Sequence, residues 1–144
     1  MNFSALQNKR VFLTGHTGFK GSWLALWLQR LGASVYGYAL PPPTAPSNYA
    51  LSSVRDVLCG ETLADIRDRA LMREAMAAFK PDVVFHLAAQ PLVRESHAQP
   101  FETFDVNVMG TASVLDAVRE LRQPCAVVCI TTDKCYENRE QVWG

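Results

Sequence analysis

Three glycines spaced three apart, Gly15, Gly18 and Gly21, occur in the run Thr14-Gly15-His16-Thr17-Gly18-Phe19-Lys20-Gly21, between a strand-like segment and a helical one. In that context the spacing suits a pyrophosphate. Gly15 permits a tight turn, Gly18 lets backbone approach the phosphates, and Gly21 lets the helix pack close to the strand. The start of the helix contributes free amides and the positive end of a dipole. The pattern is Gly-x-x-Gly-x-x-Gly rather than Gly-x-Gly-x-x-Gly, and no Gly-Lys-Ser/Thr follows, so this is not the phosphate loop of nucleoside triphosphatases. A ligand-free glycine turn is the alternative, and the strand–loop–helix setting favours a dinucleotide over it. An acidic residue about 20 positions on would hold the ribose hydroxyls. Here the next strand ends Tyr36-Gly37-Tyr38-Ala39-Leu40, without a carboxylate or a nearby arginine, so these residues leave the choice between NAD and NADP open.

The elements around this loop follow from hydrophobic patterning. Strands are expected at Arg10–Thr14, Ala33–Leu40, Val57–Leu63 (the weakest), Asp82–Leu87 and Ala126–Thr131. Helices are expected at Phe19–Leu31, Asp68–Phe79 and Pro100–Arg122. Trp23, Leu24, Trp27, Leu28 and Leu31 fall at helical spacing in the first, and the two tryptophans read as packing residues. In the longest, Phe101, Phe104, Val108, Thr111, Ala112, Leu115 and Val118 step by threes and fours. Pro41 to Ser47 forbids regular structure until about Ala50. The run Asp82–Leu87 lacks polar alternation, as a strand covered on both faces should. Strands alternating with helices require right-handed crossovers and a parallel sheet. The fold class is α/β, a doubly wound parallel sheet.

Composition narrows the function. Fourteen basic and fourteen acidic residues give a formal net charge of zero, and 49% of the 144 residues are hydrophobic. That supplies a core for one domain but no electrostatic footprint for nucleic acid or an acidic membrane. No run of about 18 apolar residues spans a bilayer, and the polar Met1–Arg10 segment does not read as a signal peptide. Cys59, Cys125, Cys129 and Cys135 lack zinc-site spacing and read as free thiols, which favours a reducing, cytoplasmic compartment. Three scattered histidines without carboxylate spacing argue against a metal site. His86 reads as a packed strand histidine, His97 as a surface residue, and His16 as a residue bordering the cofactor.

Four motifs then carry a resemblance: Gly15 to Leu24 (GHTGFKGSWL), His86 to Arg94 (HLAAQPLVR), Asn107 to Thr111 (NVMGT) and Thr131 to Asn138 (TTDKCYEN). Together they resemble the extended short-chain dehydrogenase/reductase family and, within it, the CDP-glucose 4,6-dehydratases. The resemblance covers essentially the whole chain. It implies a Rossmann-like sheet, with residues 1–144 as the N-terminal dinucleotide-binding part of a longer enzyme. Gly15, Thr17, Gly18 and Gly21 would border the pyrophosphate, with Phe19 and Lys20 closing over it. Asp65 and Ile66 match the pair contacting adenine, and Leu87, Ala88 and Ala89 the backbone beside the dinucleotide. Gln90 and Arg94 fall where relatives contact the sugar nucleotide. Asn107 matches a structural hydrogen-bonding asparagine.

The resemblance implies NAD as cofactor and a reaction in which NAD+ takes a hydride from sugar carbon 4, water leaves across carbons 5 and 6, and the hydride returns to carbon 6. Thr132 matches the Ser/Thr that hydrogen-bonds the sugar hydroxyl, and Asp133 the acid that protonates the departing hydroxyl. Related dTDP-glucose dehydratases read Thr-Asp-Glu where this chain reads Thr132-Asp133-Lys134. Lys134 either serves as base, with its pKa lowered by desolvation or a nearby cation, or stabilises the enolate electrostatically. The product would be CDP-4-dehydro-6-deoxyglucose, for deoxysugars of surface polysaccharide such as O-antigen, and the family implies a homodimer. The family's Tyr-x-x-x-Lys pair is not in this sequence: Leu40, Pro42, Ser53 and Glu140 stand four residues after Tyr36, Tyr38, Tyr49 and Tyr136. The pair belongs a few tens of residues beyond Thr132. By itself the chain is therefore expected not to turn over substrate. A sheet ending at its fifth strand is expected to leave an apolar face uncovered.

Overall fold

The computed structural model describes residues 3–132 and Glu137. Five parallel strands form one sheet: β1 (Arg10–Thr14), β2 (Ser34–Ala39), β3 (Gly60–Leu63), β4 (Val83–His86) and β5 (Ala126–Cys129), in the order β3-β2-β1-β4-β5. The chain runs outward from β1 to β3, then crosses to the other side of β1 for β4 and β5. The reversal puts the switch point between β1 and β4, where such sheets open a crevice beyond their carboxyl ends. Thr14 is in register with Tyr38 on one side and His86 on the other.

Alternation along the strands feeds two cores. Phe12, Tyr38 and Val84 face α4 (Arg69–Phe79) and α7 (Thr111–Glu120), whose Met72, Met76, Val114 and Ala117 are buried there. Phe12 stacks on Tyr36 at 5.7 Å between centroids, and Tyr36 lies 5.1 Å from Phe79. On the opposite face Val11, Leu13 and Val35 bury Ala25 and Leu28 of α1 (Phe19–Arg30) and Val54 of α3 (Val54–Val57). Among the described residues this second face is covered over β2 and β1 and only partly over β4. Phe85 and Leu87 are half-buried, and Val128 and Ile130 are 40% and 47% exposed. Among the described residues, the apolar side chains of β5 on this face are therefore partly open.

Several expectations need correction. Trp23 and Trp27 do not pack into a core: each is 55% exposed and borders a groove with Phe19, Leu24, Leu87 and Ile130. Their positions on α1 point past the edge of the covered sheet. Regular structure resumes earlier than Ala50, in α2 (Asn48–Leu51), because the Ser47 hydroxyl caps it by accepting from Ala50 N. The third strand is shorter than expected, since residues 54–57 fold as α3. The long helix is not uniform. It comprises α6 (Pro100–Phe104), a π-helical turn (Asp105–Gly110) and α7, ending at Glu120 rather than Arg122, which takes a positive φ of 50°. A further short helix, α5 (Val93–Ala98), lies where no element was expected.

Candidate nucleotide-binding crevice

The glycine loop joins β1 to α1 at the switch point. Gly15 has φ +77°, and a Cβ there would come 2.8 Å from Ala88 N and 3.0 Å from the Leu87 carbonyl carbon. At Gly21 a Cβ would come 2.0 Å from the Gly15 carbonyl oxygen. Neither position has space for any side chain. Gly18 is the N-cap of α1, with no side-chain cap and no acidic residue in the first turn, so the helix presents its leading amides and positive dipole end to the crevice. This is a cradle of bare backbone, and it fits a pyrophosphate.

Buried side chains brace it. The Ser22 hydroxyl lies 2.8 Å from the Gly18 carbonyl and 3.1 Å from that of His16. Thr17 is buried and donates to the Leu40 carbonyl at 2.8 Å, so its hydroxyl serves the loop's shape rather than facing a ligand. Tyr38 bridges two predicted binding segments: its carbonyl accepts from Gly15 N at 2.9 Å, and its hydroxyl donates to the Asp65 carbonyl at 3.1 Å. Burial pushes the Tyr38 and Tyr49 hydroxyls up to about 12, so neither supplies a tyrosinate base near neutrality.

His16 does not border an open site. Its ring is fully buried against β2, where a Cβ on Gly37 would come 2.6 Å from Cγ. Nε2 lies 2.8 Å from Glu61 Oε2, which also accepts from the Tyr49 hydroxyl at 2.8 Å, and Arg55 reaches Glu61 Oε1 at 3.1 Å. Desolvation lowers the His16 pKa despite Glu61, so the ring is neutral and donates. Sequence reading missed Glu61, because a lone Glu in a short strand carries no pattern. The clash at Gly37 is the sole local sign that a ring must lie there.

Asp65 sits just past β3. Its Oδ1 accepts from the Arg67 backbone N–H at 2.8 Å and from Nε at 3.0 Å, and Oδ2 accepts from the same guanidinium at 2.7 Å. Arg67 also donates at 2.9 Å to Glu102 and to Asp105, tying this loop to α6 and the π turn. The hydrogen bonds from Arg67 hold the Asp65 carboxyl below the usual carboxylate range. Ile66 is 4% exposed and packs on Gly110, leaving only its backbone for a ligand.

Leu87, Ala88 and Ala89 follow β4 directly against the glycine loop, and Ala89 is exposed. Gln90 is held by Asn107, which accepts from Gln90 N at 2.8 Å and donates to its carbonyl at 3.1 Å. Arg94 is exposed on α5, and Phe19 and Lys20 are exposed at the mouth of the cradle. Thr132 is exposed just beyond β5, while Asp133 and Lys134 lie outside the described residues. Cys59, Cys125 and Cys129 are free thiols. Among the described residues no cluster of His, Cys, Asp and Glu is placed to hold a metal, and no helix is long and apolar enough to cross a membrane.

The sequence model of the GDP-mannose 4,6-dehydratase family matches residues 12–142. The chain belongs to this family. It is 56% identical over 138 residues to a CDP-glucose 4,6-dehydratase of Salmonella typhimurium, covering 96% of this chain and 38% of that protein. Among solved structures, it resembles a UDP-glucose 4-epimerase of Stenotrophomonas maltophila with bound NAD and formylated UDP-arabinopyranose. That match has a TM-score of 0.83 and 27% identity, and covers 95% of this chain and 41% of that one. A UDP-glucose 4-epimerase of Brucella ovis in complex with NAD aligns with a TM-score of 0.66 and 33% identity, over 83% of this chain and 35% of that one. The chain thus spans about two fifths of the relatives it matches, and the extended short-chain dehydrogenase/reductase fold expected from the sequence is the fold observed.

Proposed function

We propose that this chain is the dinucleotide-binding part of a CDP-glucose 4,6-dehydratase that uses NAD. The observation that carries the reading is the cradle at the β1/β4 switch point, where Gly15 and Gly21 exclude every side chain beside an uncapped helix N-terminus. It is joined to the 56% identity with the Salmonella enzyme. Gly15, Gly18 and Gly21 hold the pyrophosphate on backbone amides, Phe19 and Lys20 flank it, and Asp65 with the Ile66 backbone receives the adenine. Leu87, Ala88 and Ala89 floor the crevice. The bound nicotinamide supplies a reversible hydride acceptor for sugar carbon 4. Thr132 orients the sugar hydroxyl, Asp133 protonates the hydroxyl leaving carbon 6, and Lys134 acts at carbon 5 as base or as electrostatic partner of the enolate. Gln90 and Arg94 face the sugar nucleotide.

Free Cys59, Cys125 and Cys129 support work in the cytoplasm, on deoxysugars destined for surface polysaccharide. The exposed stripe Phe101, Phe104, Val108, Met109 and Leu115 supports a homodimer built on this helix. The test is to supply the full-length gene product with CDP-glucose, dTDP-glucose, UDP-glucose and GDP-mannose, and to follow formation of a 4-keto-6-deoxy sugar. Turnover of CDP-glucose above the others is expected. Epimerised product without water loss refutes the dehydratase reading, and absence of NAD binding refutes the cofactor reading.

A further inference from the structure

His86 closes the carboxyl end of β4, 4% exposed, with both ring nitrogens bonded: Nδ1 lies 2.7 Å from Thr14 Oγ1 and Nε2 lies 2.9 Å from Thr111 Oγ1. The direction of each bond follows from counting. Thr14 Oγ1 accepts from Leu87 N and from Ala88 N, both at 3.1 Å. A hydroxyl has two acceptor sites and one proton. With both sites taken, the Thr14 proton points at His86 Nδ1, which must be bare. The neutral ring then carries its proton on Nε2 and donates to Thr111. The Thr111 hydroxyl donates its own hydrogen bond to the Asn107 carbonyl at 2.7 Å. Asn107 in turn clamps Gln90 through both ends of its amide.

The chain therefore grips one loop from two sides. The Nδ1 arm reaches the amides of Leu87 and Ala88, where a Cβ on Gly15 would strike Ala88 N. The Nε2 arm reaches Gln90 through the π turn. We infer that His86 is a positioning residue that sets the post-β4 loop for two ligands at once, the dinucleotide through Thr14 and the sugar nucleotide through Thr111 and Asn107. This inference rests on the proposed reading of residues 87–90 as crevice lining. It goes beyond that reading by giving the two arms separable roles.

The test uses the full-length gene product. Asparagine at this position presents an acceptor near Nδ1 but falls short of Thr111, whereas glutamine reaches Thr111 but offers Thr14 no equivalent acceptor. His86→Asn is expected to keep dinucleotide affinity near wild type and raise the sugar-nucleotide KM. His86→Gln is expected to weaken dinucleotide binding with a smaller change in KM. Each effect should be about three- to tenfold, as for loss of one hydrogen bond. Thr111→Val removes the Nε2 partner together with its bond to the Asn107 carbonyl, leaves the Nδ1 arm intact, and should reproduce the KM effect if the His86 variants fail to fold. Proportional changes in both readouts, or none in either, overturn the inference. Imidazole nitrogen shifts measured by NMR give an independent result: a proton on Nδ1 breaks the chain whether or not the protein binds NAD. If NAD fails to bind while the Nε2–H form is found, the cofactor reading falls and the hydrogen-bond chain stands.

Discussion

Gly21→Ala sets two opposing effects against each other on one helix. Gly21 is the third residue of α1, where alanine is the better helix former by about 1 kcal/mol. Its Cβ, however, would come 2.0 Å from the Gly15 carbonyl oxygen, 2.7 Å from the Gly15 carbonyl carbon and 2.9 Å from His16 Cα. All three atoms are backbone, so no side chain can swing aside. Carbon–oxygen contacts are tolerated down to about 3.3 Å, so either α1 or the loop must retreat by roughly 1.3 Å. Retreat of α1 loosens Ala25 and Leu28, which are 0% and 1% exposed in the second core. Overpacking at this level costs about 1–3 kcal/mol or more, which outweighs the propensity gain. Because all the clashing atoms are backbone, the cost falls at the upper end, about 3 kcal/mol, and net destabilisation should be about 2 kcal/mol. With a urea dependence of about 1–3 kcal/mol per molar, the unfolding midpoint of the full-length protein should fall by about 1 M. Gln29→Ala on the exposed side of the same helix is the control, expected within about 0.5 kcal/mol of wild type. Dinucleotide affinity should fall together with the Gly21→Ala midpoint. A midpoint that rises, as helix propensity alone dictates, refutes the close-approach argument.

Further outcomes follow from the same structure. Phe104→Glu places a charge in the apolar stripe on α6 and should leave a folded monomer in analytical ultracentrifugation, whereas a persisting dimer places the interface elsewhere. If Asp133 has the proposed role of protonating the departing hydroxyl, Asp133→Asn should abolish water loss while preserving NAD binding. Unimpaired dehydration removes Asp133 from that role. Burial holds the pKa values of His16 and His86 below their ordinary 6.5. The unfolded chain then binds more protons, so the stability these rings contribute is full above pH 6.5 and is lost as pH falls toward their folded values. Unfolding midpoints across that range should decline on the acid side, and less steeply in His86→Gln.

The strands and the glycine loop were legible because each rests on local pattern. Val11, Phe12 and Leu13 read as buried strand whatever surrounds them, and glycine spacing implies close backbone approach. Trp23 and Trp27 were misread because helical periodicity reports a shared face and not whether anything covers it. The break in the Pro100–Arg122 helix left no proline or glycine signal at Asp105. What fixes it there is tertiary: Arg67 on Asp105, Asn107 on Gln90 and Ile66 against Gly110. The braces of the crevice were equally hidden. Thr14, His86 and Thr111 lie 72 and 25 positions apart along the chain; strand pairing sets Thr14 beside His86, and the packing of α7 on the sheet adds Thr111.

The π turn at Asp105–Gly110 can be viewed as an editing mark in the helix. A π turn accommodates one residue more than the α ladder would. Deleting one residue there would restore regular winding and yield a helix with better backbone bonds. The helix on either side would keep its facing, because the π turn already takes up the extra residue, and the change would fall on the turn itself. Its residues would shift in register, and Asn107 would lose its two hydrogen bonds to Gln90. Mutational drift toward a more regular helix is therefore barred here by the inward amide clamp, which a single uninterrupted winding would not present. Length changes among relatives should accordingly spare this segment and gather in the proline-rich stretch before α2, where no such clamp is made.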